Sequence, residues 1–224
     1  MRIKISLSVV DGDCLDYNHC WSLAEVIESV LPVDGLYTFS RVLVKDRKYE
    51  VTPEGMKLLT RQLYFFFSSV DDRVCRGLVD GLMGLESFDV GGVRVKLQGV
   101  KVVDEGKVSS GDMLVTLSPI QTLADPRKEG FVKEFGRDVF SVLAEKYRRV
   151  HGEKWKGETG MVEVHRVKPV RINGDGGFVR ANLMVFSVHG AEELLRLGYA
   201  VGFGRMTEKG FGMVRTGRLA GGGV

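Results

Sequence analysis

The sequence predicts an α+β chain in which one β-α-β-β-α-β unit is followed by a second. Three observations carry this reading. The opening stretch alternates apolar and polar residues at the period of a strand. Helix-spaced apolar runs separate later strand-like segments, and the same order of elements recurs in both halves. That order is the ferredoxin-like topology, so the chain reads as two tandem ferredoxin-like domains, 1–108 and 109–224, joined near GKVSSGD at 106–112. One larger α+β sheet is the competing arrangement.

In the first half, Met1, Ile3, Ile5, Leu7 and Val9 share one strand face, and Arg2, Lys4, Ser6 and Ser8 share the other. Ser22 and Glu25 have capping-box spacing ahead of Leu23, Val26, Ile27, Val30 and Leu31, and Pro32 and Gly35 end that helix. LYTFSRVLV (36–44) is strand-like, KDRKYE a charged turn, and RQLYFFFSSV (61–70) an aromatic strand. A helix with Asp71 and Asp72 in its first turn carries Val74, Cys75, Leu78, Val79, Leu82 and Met83 on one face, and VGGVRVKLQGVKVV supplies a strand or bent hairpin. The second half opens with MLVTLSPI (113–120). Pro126 precedes a long helix with Phe131, Phe135, Val139, Val142, Leu143 and Tyr147 inward. GMVEVHRVKPVRIN and GFVRANLMVFSV pair around NGDGG (173–177), a short helix AEELLRLG follows, and FGMVRT closes as the last strand.

Composition excludes little beyond a membrane protein. The chain is 44% hydrophobic and 27% charged, and it lacks the run of about 18 apolar residues that a membrane helix needs. Its three cysteines, Cys14, Cys20 and Cys75, are odd in number without CxxC spacing, as expected of free thiols in a cytoplasmic protein. Cys14, His19 and Cys20 lack a matching second pair of ligands, so neither a metal nor a cofactor is expected. A net charge of +3 permits a nucleic-acid partner only through a local basic surface.

The most unusual stretch is GYAVGFGRMTEKGFGMV (198–214), where two Gly-Phe-Gly triplets flank RMTEK. GxxxxGK[ST] is absent, and GxGxxG fails because Thr207 stands where the third glycine belongs. Two readings remain. The amides around Gly202, Gly204, Gly210 and Gly212 form an anion-binding nest rimmed by Arg205 and Lys209. Otherwise the segment is a bulged hairpin whose phenylalanines plug the core.

This segment resembles the C-terminal glycine-rich signature of the CRISPR repeat-processing endoribonucleases of the RAMP superfamily. YNHCWSLAEVI, LYTFSRV, VTLSPI and HRVKPVRI fit in the same order, over nearly the full length. The resemblance implies two RRM-related ferredoxin-like domains that bind repeat RNA and cut it without a metal. The ribose 2′-hydroxyl attacks the neighbouring phosphate, which calls for a base, an acid and charge stabilisation. The usual histidine, tyrosine and lysine of the family are missing: SVLPVDG has no histidine, Glu28 falls at the tyrosine and Gly35 at the lysine.

Candidate replacements are His19, with Tyr17 beside it, and Lys45, Arg47 and Lys48 after the second strand, although His19 equally suits a structural role. His151, His165 and His189 read as surface or packing residues. Arg166, Lys168, Arg171 and Arg180 form a basic cluster suited to RNA, while the mixed charges from Lys128 to Lys156 read as a solvated face. The expected partner is repeat RNA. The alternatives are a non-cutting binder, a structural RAMP subunit working with other CRISPR effector subunits and, most remotely, a small-molecule sensor. A homodimer is compatible with all of these.

Overall fold

The computed structural model describes residues 1–31, 35–104, 107–174 and 177–217. Two compact units are present: Met1–Asp104 with Asn173–Gly177 and Glu208–Gly210, and Glu105–Ile172 with Phe178–Thr207 and Phe211–Val224.

The first unit contains β1 (Arg2–Asp11), β2 (Cys14–Leu15), α1 (Cys20–Val30), β3 (Tyr37–Phe39), β4 (Leu43–Val44), β5 (Tyr49–Val51), β6 (Met56–Leu58), β7 (Gln62–Ser69), α2 (Asp72–Met83), β8 (Phe88–Val90) and β9 (Val93–Val102). Its main sheet runs β3-β7-β1-β9-β8, with β4 also on β7. The pairings along it are antiparallel, and Ile5 faces Phe65 across β1 and β7. The alternation expected of β1 holds from Ile3 to Val9, with Ile3, Ile5, Leu7 and Val9 buried and Lys4, Ser6 and Ser8 only partly covered, but Arg2, expected with the latter, is itself buried.

The second unit contains β10 (Met113–Thr116), α3 (Phe131–His151), β11 (Met161–Gly174), β12 (Gly177–His189), α4 (Glu192–Val201) and β13 (Val214–Thr216). Its sheet order is β11-β12-β10-β13. In both units the helix-linked strands lie in the spatial order second, third, first, fourth, which is the ferredoxin-like arrangement. Phe186 anchors the second core, meeting Phe135 at 5.9 Å and Phe203 at 5.5 Å, both edge to face.

Several local expectations change. α1 begins at Cys20 with His19 as its N-cap, so no Ser22–Glu25 capping box forms. Ser22 Oγ instead donates to the His19 carbonyl and accepts from Gly91 N–H. The 36–44 strand is broken at Ser40, whose Oγ accepts from Phe66 N–H, so the ladder is interrupted by a side chain. KDRKYE and the residues after it contribute β5 and β6, which join β2 in a three-stranded sheet of order β2-β6-β5. Asp71 is the N-cap of α2 and accepts from Arg73 N–H at 2.9 Å.

Val108 is buried at 3% exposure, so residues of the expected linker are packed within the second unit. Asp175 and Gly176, at the tip of the expected NGDGG turn, lie outside the described residues. No described helix is long and apolar enough to cross a membrane.

Candidate functional site

The glycine-rich segment leaves α4 at Val201 and returns as β13. Gly202, Gly204, Gly210 and Gly212 all have positive φ and are all buried. Phe203 and Phe211 are core residues, 0% and 1% exposed. Amides of the segment are engaged internally: Gly202 N–H donates to Gly198 O, Phe203 N–H to Gly212 O, Arg205 N–H to Gln121 O, and Gly212 N–H to Pro119 O. A Cβ on Gly204 would collide with the Gln121 carbonyl oxygen, and one on Gly212 with that of Phe203. Gly210 lies against the Phe39 ring within the first unit. These glycines serve close backbone approach. Of the amides expected to form a nest at Gly202, Gly204, Gly210 and Gly212, those of Gly202 and Gly212 are spent on backbone carbonyls, and Phe203 and Phe211 plug the core.

The segment's carbonyls, rather than its amides, converge on a charge, and that charge is internal. Lys146 of α3 is 7% exposed. Its Nζ donates to Gly202 O at 2.8 Å and Gly204 O at 3.0 Å, with Val201 O and Thr207 Oγ1 each at 3.4 Å. Val201 and Gly202 are the last residue and C-cap of α4, so the ammonium also sits at the negative end of a helix dipole. The segment is a cation cradle.

The two basic residues expected at its rim are paired. Arg205 Nη2 meets Asp138 Oδ1 at 2.7 Å, and Lys209 Nζ meets Glu28 Oε1 within the first unit. Neither stands free for a phosphate in this arrangement.

His19 is 1% exposed. Its Nδ1 lies 2.6 Å from Asp16 O, and its Nε2 accepts from Val42 N–H at 3.1 Å. These partners fix the Nδ1–H tautomer and occupy both ring nitrogens. Burial, and then the Arg41 charge, hold its pKa down at about 4. The cavity beside it, about 590 Å³, is lined by Asp16, Glu25 and Glu54 and by no lysine or arginine, a poor seat for a phosphodiester. Tyr17 OH donates to Thr52 O at 2.7 Å, and Lys45 Nζ donates to Gln62 Oε1. Lys48 is exposed. No hydrogen bond or ion pair joins any two of His19, Tyr17, Lys45 and Lys48 among the described residues. Burial also raises the Cys20 thiol to about 11, opposite to what a reactive or metal-binding thiolate requires.

The basic hairpin strands differ from all of these. Arg166, Lys168 and Arg171 on β11 and Arg180 on β12 are exposed. The guanidinium carbons of Arg171 and Arg180 lie 4.9 Å and 5.8 Å from the Phe178 ring centroid, and neither arginine makes an ion pair among the described residues. Phe178 is itself 50% exposed. Two positioned guanidinium groups on an exposed aromatic have the chemistry that base stacking and phosphate contact require.

Comparison with known proteins places the chain. The family described as "CRISPR associated protein Cas6, C-terminal" matches residues 104–216, and "CRISPR-associated protein Cas6, N-terminal" matches 31–101. A CRISPR-associated endoribonuclease Cas6 of Pyrococcus furiosus is 32% identical over 96% of this chain and 89% of its own. This chain belongs to the Cas6 family. A second protein of the same organism, described as a CRISPR-associated endoribonuclease-like protein Cas6, is 27% identical over 96% of this chain and 98% of its own. A solved structure described as a RAMP protein binding different RNA substrates superposes with a TM-score of 0.84 at 26% identity, covering 97% of this chain and all of that one.

In this Cas6 chain the solvated face expected from Lys128 to Lys156 fails at Lys146, which is 7% exposed, and at Asp138, whose side chain is 10% exposed, and sequence reasoning missed Phe178. A signal existed for the first: Lys146 continues the inward stripe Phe135, Val139, Val142, Leu143 and Tyr147, where a charge demands a buried partner.

Two stability experiments follow. Lys146→Met strands the carbonyls of Gly202 and Gly204, so urea unfolding is expected to show a loss of about 3 kcal/mol, whereas Lys209→Met, at an exposed pair, stays within about 1 kcal/mol. For His19, a folded pKa of about 4 against the ordinary 6.5 means that the unfolded chain binds more protons between those values. Its contribution is complete above about pH 6.5, declines as pH falls and levels off below about 4, on the order of 3 kcal/mol in all. Urea midpoints across this range should show the decline, and His19→Gln should flatten that part of the profile.

Proposed function

We propose that this protein binds the repeat RNA of CRISPR transcripts and cleaves it without a metal ion. The single observation that carries the binding is the Arg171–Phe178–Arg180 platform, two cations held over an exposed ring with no carboxylate in ion-pair range among the described residues. Arg166 and Lys168 are further exposed cations of β11. The names of the relatives support the reading: an endoribonuclease, an endoribonuclease-like protein and a RAMP protein that binds RNA.

The cleavage is attack of a ribose 2′-hydroxyl on the adjacent phosphate, leaving a cyclic phosphate and a free 5′-hydroxyl. His19, buried and doubly hydrogen-bonded, supplies neither proton transfer. The rate rests on holding the strand in line and on guanidinium charge beside the phosphorane, which makes for slow cutting. The engagement of both His19 nitrogens also favours a second reading, a repeat-RNA binder that does not cut.

A labelled RNA carrying the host's own CRISPR repeat separates the two. Retention that weakens as salt rises, with a cyclic-phosphate product in EDTA, is the expected result, and His19→Gln should leave the product yield unchanged. Binding without product at long times selects the second reading, and no binding overturns both. Arg171→Ala and Arg180→Ala should each weaken binding and lower the salt slope by about 0.7 for every phosphate that the variant leaves unneutralised.

A further inference from the structure

Beside the platform, within the second unit, residues 122–127, 169–171 and 180–182 line a recess of about 200 Å³. Liquid water takes about 30 Å³ per molecule, so the space equals about six waters. That suits one small tetrahedral anion with part of its hydration and is too little for a whole nucleotide.

Charge decides what enters. The lining carries three guanidinium groups, Arg127, Arg171 and Arg180, against one carboxylate, Asp125. Arg127 is locked to Asp125 by bonds of 2.9 Å and 2.7 Å, so those two charges cancel. That guanidinium, with the Arg180 charge behind it, holds the Asp125 carboxyl well below the usual range, and the pair stays ionised. Arg171 and Arg180 make no ion pair among the described residues, which leaves the recess with two net positive charges, three minus one. The wall also holds a donor. Asn182 is 4% exposed, and its backbone is tied to Ile120 in both directions, while its side-chain amide engages no protein group among the described residues. A buried carboxamide is normally satisfied, and this one borders the recess.

These features select among anions. A phosphate inside a strand carries one charge and a nucleoside on each side, for which the recess has no room. A terminal phosphate monoester is tethered through one oxygen only, offers three others to donors and carries about −1.5 to −2 at neutral pH, which matches the lining. Guanidinium groups meet such oxygens two at a time. We infer that the recess seats the terminal phosphate monoester of an RNA strand, an inference that rests on the RNA-binding reading above. Arg171 and Arg180 belong to both the recess and the platform, so a seated end leaves its neighbouring base beside Phe178.

The test is fluorescence anisotropy of the full chain at fixed salt with one internally labelled RNA of the host's repeat sequence. It is made with hydroxyl ends, with a 5′-phosphate, with a 3′-phosphate, and with each phosphate as its methyl ester, which carries one charge less. A phosphate at one of the two ends is expected to tighten binding about 10- to 150-fold over hydroxyl ends, and its methyl ester to lose most of that gain. Arg127→Gln leaves Asp125 without its partner and should abolish the gain, while hydroxyl-ended RNA stays within about twofold of the unsubstituted protein. Asn182→Leu should reduce the gain; should that variant not fold, Arg127→Gln, at an exposed side chain, decides. Equal binding of phosphate-ended and hydroxyl-ended RNA within about twofold overturns the inference. So does a gain that the methyl ester keeps or that survives Arg127→Gln. Displacement of the phosphate-ended RNA by an equal concentration of a nucleoside 5′-monophosphate assigns the recess to a free nucleotide and overturns it as well. Hydroxyl-ended RNA that binds without any gain from phosphate leaves the RNA reading standing, whereas failure of every oligomer to bind overturns that reading itself.

Discussion

The second unit is organised around one buried ammonium. Lys146 enters from α3 and gathers carbonyls of Gly202 and Gly204 at 2.8 Å and 3.0 Å, just past the end of α4. A lysine with 7% exposure is tolerable only if its charge is answered by dipoles. The segment after α4 answers it by turning its carbonyls inward. Positive φ at Gly202 and Gly204 is what allows that turn, and contact of Gly212 with the Phe203 carbonyl closes it. With the carbonyls committed to Lys146 and several amides committed to backbone partners, the segment has little left to offer a ligand.

That commitment moves the nucleic-acid problem to another part of the sheet. Cations are useful to a phosphate only where they are not already neutralised, and the described basic residues sort cleanly by this criterion. Arg205 is held by Asp138, a carboxylate whose side chain is 10% exposed, and Lys209 by Glu28. Arg171 and Arg180 are steadied by an aromatic ring instead. Cation–π contact positions a guanidinium without cancelling its charge, so the platform retains the long-range attraction that an ion pair would discard.

Much of the fold was legible because it depends on local periodicity. The β1 alternation, the α2 face and the repeated element order follow from side-chain patterning alone, and they were enough to give the ferredoxin-like order of both sheets. What failed depended on distant partners. Ser22 and Glu25 have the spacing of a capping box, but Gly91, 69 residues away, claims the Ser22 hydroxyl. The Ser40 hydroxyl likewise serves Phe66, so a continuous strand pattern hides a break. Glycine spacing looks the same whether amides or carbonyls point inward, and the residue that settles it, Lys146, lies more than 50 positions upstream of Gly202.

His19 shows why a residue type is weak evidence for chemistry. A histidine before a helix suits proton transfer only if one ring nitrogen remains free and its pKa stays near neutrality. Here the ring joins the turn at Asp16 to the backbone at Val42, inside a packed corner whose neighbouring cavity bears carboxylates. A phosphorane developing there would meet negative charge and a ring that resists protonation. On the reading proposed above, cutting draws its rate from strand alignment and from cationic groups outside this corner rather than from His19. Orientation alone can be worth several kcal/mol of barrier, with no group of tuned pKa required.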